Sequence, residues 1–180
     1  IYQFTGLISS PFIFQILGCS TTEIISNPIV KKVIGSVVIV GGGFAGATAA
    51  KYLHKWGNGS INVTIIEKND FFYSCPMSNL VLSGSKNIRY LKHSYDNLKK
   101  RGIRVIKDEV ISIDPVKLSA NTLTGSTLSA DKLIISPGVD FEYDKIEGLT
   151  LRARKRVLHG WRGVAQTAAL RLQISSISNG

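Results

Sequence analysis

One short stretch constrains the fold more than any other part of the chain. Val37-Val38-Ile39-Val40 is a β-branched run of the kind buried on both faces of a parallel sheet. Gly41-Gly42-Gly43-Phe44-Ala45-Gly46 follows without a break, and Ala47 to Leu53 then reads as helix. The spacing Gly41-x-Gly43-x-x-Gly46 therefore falls between a strand and a helix, the one context in which it has a mechanical meaning. Gly41 allows the tight turn, Gly43 lets the backbone approach a pyrophosphate, and Gly46 lets the helix lie close to the strand. With Phe44 and Ala45, these residues form a helix N-terminus whose amides and dipole attract phosphate charge.

A second strand, Ile61 to Ile66, ends on Glu67, 21 residues beyond Gly46 and close to the spacing of about 20 expected of a ribose-binding acid. A carboxylate there accepts hydrogen bonds from both hydroxyls of an adenosine ribose. It repels a 2′-phosphate, which disfavours NADP. Lys68 follows it and joins the candidate set. FAD and NAD share this fingerprint, so the rest of the chain must separate them. Leu91 to Arg101 reads as a helix ending at Gly102, and Ile103 to Ile106 as a third strand. Val110 to Asp114, Lys117 to Thr122 and Thr127-Leu128 alternate like a small antiparallel meander. A strand from Lys132 to Ile135 closes onto Ser136-Pro137-Gly138. The expected fold class is α/β, a Rossmann-like domain with a parallel sheet and a small meander.

That order resembles the FAD-binding domain of the disulfide reductase superfamily, in which a strand ending in an Ala-Thr-Gly-like turn approaches the flavin nucleotide. Ser136-Pro137-Gly138 departs from that turn but keeps its glycine. The likeness sharpens at Asp70-Phe71-Phe72-Tyr73-Ser74-Cys75-Pro76-Met77-Ser78-Asn79. This segment resembles the flavin segment of the flavoprotein subunit of flavocytochrome c sulfide dehydrogenase. His93-Ser94-Tyr95-Asp96-Asn97-Leu98, Tyr143-Asp144-Lys145-Ile146-Glu147-Gly148, His159-Gly160-Trp161 and Gln166-Thr167 extend the resemblance, which covers about residues 33–180.

The resemblance implies FAD as cofactor, with Cys75 at the position that forms a thioether to the flavin 8α-methyl group. It places Val110 where relatives contact adenine through main-chain groups, and Gly138 beside the nucleotide. It implies sulfide as substrate of the full-length enzyme and a cytochrome c subunit as electron acceptor. A merely buried Cys75, or a Cys19–Cys75 disulfide, is the alternative. Phe72 and Tyr73 either line the flavin edge or pack as core aromatics, and Trp161 and Gln166 read as packing.

Composition removes other classes. The 180 residues carry two cysteines and three scattered histidines, which excludes a disulfide scaffold and gives no metal-ligand spacing. Net charge is +10, yet no nucleic-acid-binding motif accompanies it. The basic residues at the carboxyl end (Arg152, Arg154, Lys155, Arg156, Arg162, Arg171) read as a solvated helix end or as an interaction module for acidic partners.

Residues 1–31 look separate from residues 32–180. The apolar stretch 1–18, interrupted by Pro11, fits the core of a secretory signal, and Ile16-Leu17-Gly18-Cys19 resembles a lipobox with a lipid anchor at Cys19. The expected location is periplasmic or exported. The resemblance implies that relatives continue into a second dinucleotide-like domain and a C-terminal interface domain, and that the redox-disulfide cysteines belong to that further part. No cysteine follows Cys75, so a fragment without catalytic residues of its own is expected. Two other classes stand beside this one. The first is a sulfide:quinone or NADH:acceptor reductase with non-covalent FAD, and the second is a non-catalytic Rossmann remnant.

Overall fold

The computed structural model describes residues 32–178. The signal-like segment and Cys19 lie outside the described residues.

The strand β1 (Gly35–Val40) pairs in parallel with β2 (Ile61–Glu67) on one side and β9 (Lys132–Ile135) on the other, and β2 pairs with β5 (Arg104–Lys107). The sheet order is β5-β2-β1-β9. Side chains alternate across a strand, so β1 serves two cores at once. Val37 and Ile39 face one side with Val63, Ile65, Ala50 and Ile103. Val38 and Val40 face the other with Ile66 and Ala120.

Helix α1 (Phe44–Trp56) covers the first face. It starts directly after Gly43, is rich in alanine, and buries Gly46 and Ala50, one turn apart, toward the sheet. Gly57 ends it, with its amide donating to Leu53 O. The second face is covered by the expected meander, β6 (Val110–Asp114), β7 (Ser119–Thr122) and β8 (Thr127–Ser129), in the order β6-β7-β8. Strand β7 begins at Ser119 rather than Lys117. Asp114 Oδ1 accepts from the amides of Val116 and Lys117, and Leu118 adopts a φ of +48°, so these residues form the turn.

The helix expected over 91–101 is not there. Leu91 ends a 3₁₀ turn with its side chain in the core, and Lys92–Ser94 form β4, paired antiparallel with β3 (Phe71–Tyr73). Only Asp96–Lys99 is helical (α3). Pairing with β3 and burial of Tyr95 outweigh helix propensity, which is worth only tenths of a kcal/mol per residue. The short α2 (Ser78–Leu82) follows Cys75. Beyond the sheet come α4 (Leu151–Arg154) and α5 (Val164–Ser175), and α5 packs on α2.

Candidate functional site

A cavity of about 490 Å³ opens at the carboxyl ends of β1, β2 and β9, within the range of roughly 300–1,000 Å³ typical of cofactor sites. Gly41, Gly43, Glu67, Lys68, Cys75, Val110 and Gly138, predicted from separate parts of the chain, all line it. Phe44, Ala45 and Gly46 lie in the first turn of α1, outside that lining.

The glycines have distinct reasons. Gly41 has φ +96°, and a Cβ there would lie 2.2 Å from Ser136 O. A Cβ on Gly46 would lie 1.9 Å from Gly41 O, so only glycine lets α1 approach the turn. At Gly43 a Cβ would meet nothing nearer than Phe72 Cε2 at 3.9 Å, leaving the backbone open to the cavity. Gly42, a free position in the motif, is pressed against a ring: its Cβ would lie 2.9 Å from both Cε1 and the hydroxyl of Tyr95.

Ser136 explains the departure from an Ala-Thr-Gly turn. Its amide donates to Val40 O at 2.8 Å, and its hydroxyl reaches Val40 O at 3.0 Å and Gly41 O at 3.2 Å. The serine thus ties the end of β9 to the glycine turn, while Gly138 (φ +86°) faces open space.

Glu67 is already engaged. Its Oε2 accepts the Gly42 amide at 2.7 Å, and its Oε1 accepts from the Asn69 amide at 2.9 Å and from Asn69 Nδ2 at 2.7 Å. The carboxylate therefore braces the glycine turn as well as facing the cavity. Lys68 pairs with Glu109 at 3.3 Å across exposed surface, a contact worth at most about 1 kcal/mol.

Cys75 is half-buried and free, in a 3₁₀ turn, Cys75–Met77. The turn is held by the Ser74 amide donating to Leu91 O at 2.9 Å and by the β3–β4 pairing. The thiol-bearing residue is thus at the cavity rather than in the core. Phe72 and Tyr73 also line the cavity, and Phe72 meets Phe44 edge-on at 4.6 Å between ring centres.

Among the lining residues, Tyr95 and Asp108 were given no role of their own from the sequence. Tyr95 is buried, and burial, with the Glu67 charge second, pushes its phenol up to about 12. Asp108 is buried just before β6, at the cavity. Hydrogen bonds from the Thr124 and Thr122 hydroxyls hold its carboxyl below the usual range, and the Glu109 amide adds to them. Neither role could be read from the sequence, because each depends mainly on residues distant along the chain.

The residues present fit FAD. An open glycine backbone at a helix N-terminus suits a pyrophosphate, a carboxylate at the end of β2 suits a ribose, and an apolar, aromatic-walled extension reaches Cys75.

Comparison with known proteins agrees with this geometry. Residues 35–177 match the pyridine nucleotide-disulphide oxidoreductase family. The chain is 56% identical over 45 residues to the sulfide dehydrogenase (flavocytochrome c) flavoprotein chain of Chlorobaculum thiosulfatiphilum, a match covering 25% of this chain and 92% of that one. It is 32% identical over 113 residues to the mitochondrial sulfide:quinone oxidoreductase of Mus musculus, covering 63% of this chain and 25% of the relative. This chain therefore spans about a quarter of the length of that relative. Among solved structures, the water-forming NADH oxidase of Lactobacillus brevis superposes with a TM-score of 0.66 at 27% identity, covering 79% of this chain and 32% of that one. The resemblance drawn from the residues around Cys75 is borne out, and FAD is the cofactor these relationships imply. With its parallel sheet, crossing meander and glycine turn, the chain belongs to the pyridine nucleotide-disulphide oxidoreductase family.

Proposed function

We propose that this chain is the FAD-holding part of an exported flavoprotein oxidoreductase that takes electrons from sulfide and delivers them to a cytochrome c subunit. One observation carries the reading: Cys75 lines the same cavity as the glycine turn and Glu67. The likeness to a sulfide dehydrogenase flavoprotein chain supports it.

When bound, FAD supplies acceptance of an electron pair from a sulfur donor and its release to a one-electron carrier. The chain's own residues bind and orient. The Gly43 backbone and the first turn of α1 receive the pyrophosphate, where aligned amides favour negative charge. Glu67 accepts from the ribose hydroxyls while its bond to the Gly42 amide keeps the turn in place. Val110 and Gly138 border the nucleotide with backbone. Cys75 would hold the flavin ring, and such a tether would prevent cofactor loss outside the cell. None of the described residues is assigned the attack on sulfide, because Cys75 is the one cysteine among them and it is committed to the tether.

The test is a visible spectrum before and after acid precipitation, made on this chain and on the longest natural polypeptide containing it. Yellow colour retained in the precipitate, and lost in Cys75→Ser, is the expected result. The longer match to a sulfide:quinone oxidoreductase favours a second reading, FAD held without a covalent bond. Flavin released to the supernatant supports that second reading. Protein that stays colourless even after refolding with FAD overturns both.

A further inference from the structure

The end of the domain opposite the cavity carries an unusual surface. Trp56, at the last position of α1, is 76% exposed, and its ring lies 4.9 Å from that of Tyr52, one turn earlier. Lys51 Nζ sits 5.5 Å from the Tyr52 ring centre, and Lys55 flanks Trp56. The carboxyl end of α3 meets the same end of α1, where His54 Cε1 approaches Gly102. It adds Lys99, Lys100 and Arg101, all exposed. None of these cations takes part in any of the six ion pairs found among the described residues, and no acid occurs between residues 24 and 66 or between 97 and 107.

The chain also enters the domain here. Val33 and Ile34 are exposed, and the Ile34 amide donates to Ser60 O at 2.8 Å in the turn that follows α1. An exposed tryptophan–tyrosine pair ringed by uncompensated lysines has the chemistry of a bilayer interface. The rings enter the headgroup level and the cations meet anionic phosphates. Among the described residues no helix is long and apolar enough to cross a membrane, so contact here is lateral. We propose that the α1–α3 end is a peripheral docking surface for an anionic lipid bilayer, with Trp56 inserted and Lys51, Lys55, Lys99, Lys100 and Arg101 on the headgroups. The cavity then faces away from the membrane. This proposal is independent of which electron acceptor the protein uses.

The test uses the full chain with Trp161→Phe, so that emission reports Trp56 alone of the two tryptophans. Vesicles are phosphatidylcholine with or without one-third phosphatidylserine. The expected result is a blue shift of Trp56 emission on the anionic vesicles, reversed by high salt. Each basic residue near an anionic bilayer strengthens partition about fivefold, so K99Q/K100Q/R101Q weakens co-sedimentation on the order of a hundredfold. Circular dichroism of each variant confirms that the fold is kept. Emission that is unchanged on anionic vesicles overturns the proposal and leaves an acidic protein as the partner of this face. Equal binding to neutral vesicles, or co-sedimentation insensitive to the triple variant, also overturns it and assigns lipid affinity to the apolar residues 1–18.

Discussion

The parallel sheet and the carboxyl-terminal arm, residues 139–178, are held together by different means. In the sheet, Ile39 and Ile65 are wholly buried and Ile66 nearly so, each side chain contributing about 2–3 kcal/mol by burial. In the arm only Gly160 and Thr167 are buried, while Val139, Leu151, Val157, Trp161, Leu172 and Ile177 lie exposed. Directional polar contacts order it instead. Arg171 Nη1 donates to Leu82 O at 2.8 Å, Tyr143 Oη meets His159 Nε2 at 2.7 Å, and Arg154 Nε donates to Leu149 O at 3.1 Å while its guanidinium also pairs with Asp144. Non-directional burial tolerates small errors of position, whereas an arm ordered by a few hydrogen bonds opens locally when one of them is lost.

The sharpest way to break the contrast is at the seam of the sheet and α1. Gly46→Ala places a carbon against the Gly41 carbonyl, which is backbone and cannot move aside. Urea unfolding should show a loss of about 3 kcal/mol for the whole domain. A midpoint unchanged from the parent would mean that α1 can back away from the turn, and the close-packed reading of this seam would be wrong.

Tyr95 offers a pH test of the same seam. Its folded value of about 12 exceeds the ordinary 10, so the native state keeps the proton where the unfolded chain loses it. The stabilisation is complete below about pH 10 and disappears as pH rises through about 12, a fall on the order of 2–3 kcal/mol. Comparing Tyr95→Phe with the parent isolates the effect: the variant should match the parent near neutrality and lose less stability between those pH values. Parallel curves would show that the phenol ionises freely in the fold.

Glu67→Ala removes the acceptor for the Gly42 amide and the acceptor proposed for the ribose hydroxyls. FAD affinity should fall by roughly 1–3 kcal/mol, measured by titration of flavin fluorescence. Equal affinity would confine Glu67 to bracing the turn.

The smallest effect is expected in the arm. Thr167 Oγ1 reaches Gly163 O at 3.0 Å and Gly160 O at 3.4 Å and lies 3.4 Å from Ser78 Oγ, and Thr167→Val removes all three contacts at nearly constant volume. Global stability should drop by about 1 kcal/mol. Amide exchange should accelerate in α5 and not in β1 or β2. Uniform acceleration would show that arm and sheet unfold as one unit.

Gly41, Gly43 and Glu67 were legible from spacing, because a glycine turn between strand and helix has few geometries available to it, whereas Cys75, Val110 and Gly138 were legible only through the family resemblance. These residues come from five parts of the chain and line one cavity. The region between Phe71 and Lys99 was legible only in part. Lys92 to Ser94 carry no alternation strong enough to announce a strand, and β4 exists because β3 offers it a partner. Tyr95 falls in a segment that carried the family resemblance, but its role had no local signal, since it lies in filling the Cβ space of a glycine 53 positions earlier.

The parallel sheet, the helix that follows the glycine turn, the acid at the end of β2 and the meander are all written in local pattern. These follow from period, steric allowance and turn chemistry, which act over a few residues. That Glu67, expected to receive a ribose, also braces the glycine turn is visible only in the folded chain. The same holds for Ser136 locking β9 to β1, and for Trp56 and the cations of α3 sharing one end of the domain. Each of those joins groups far apart along the chain, and the energy that selects them exists only once the sheet has brought them within a few ångströms.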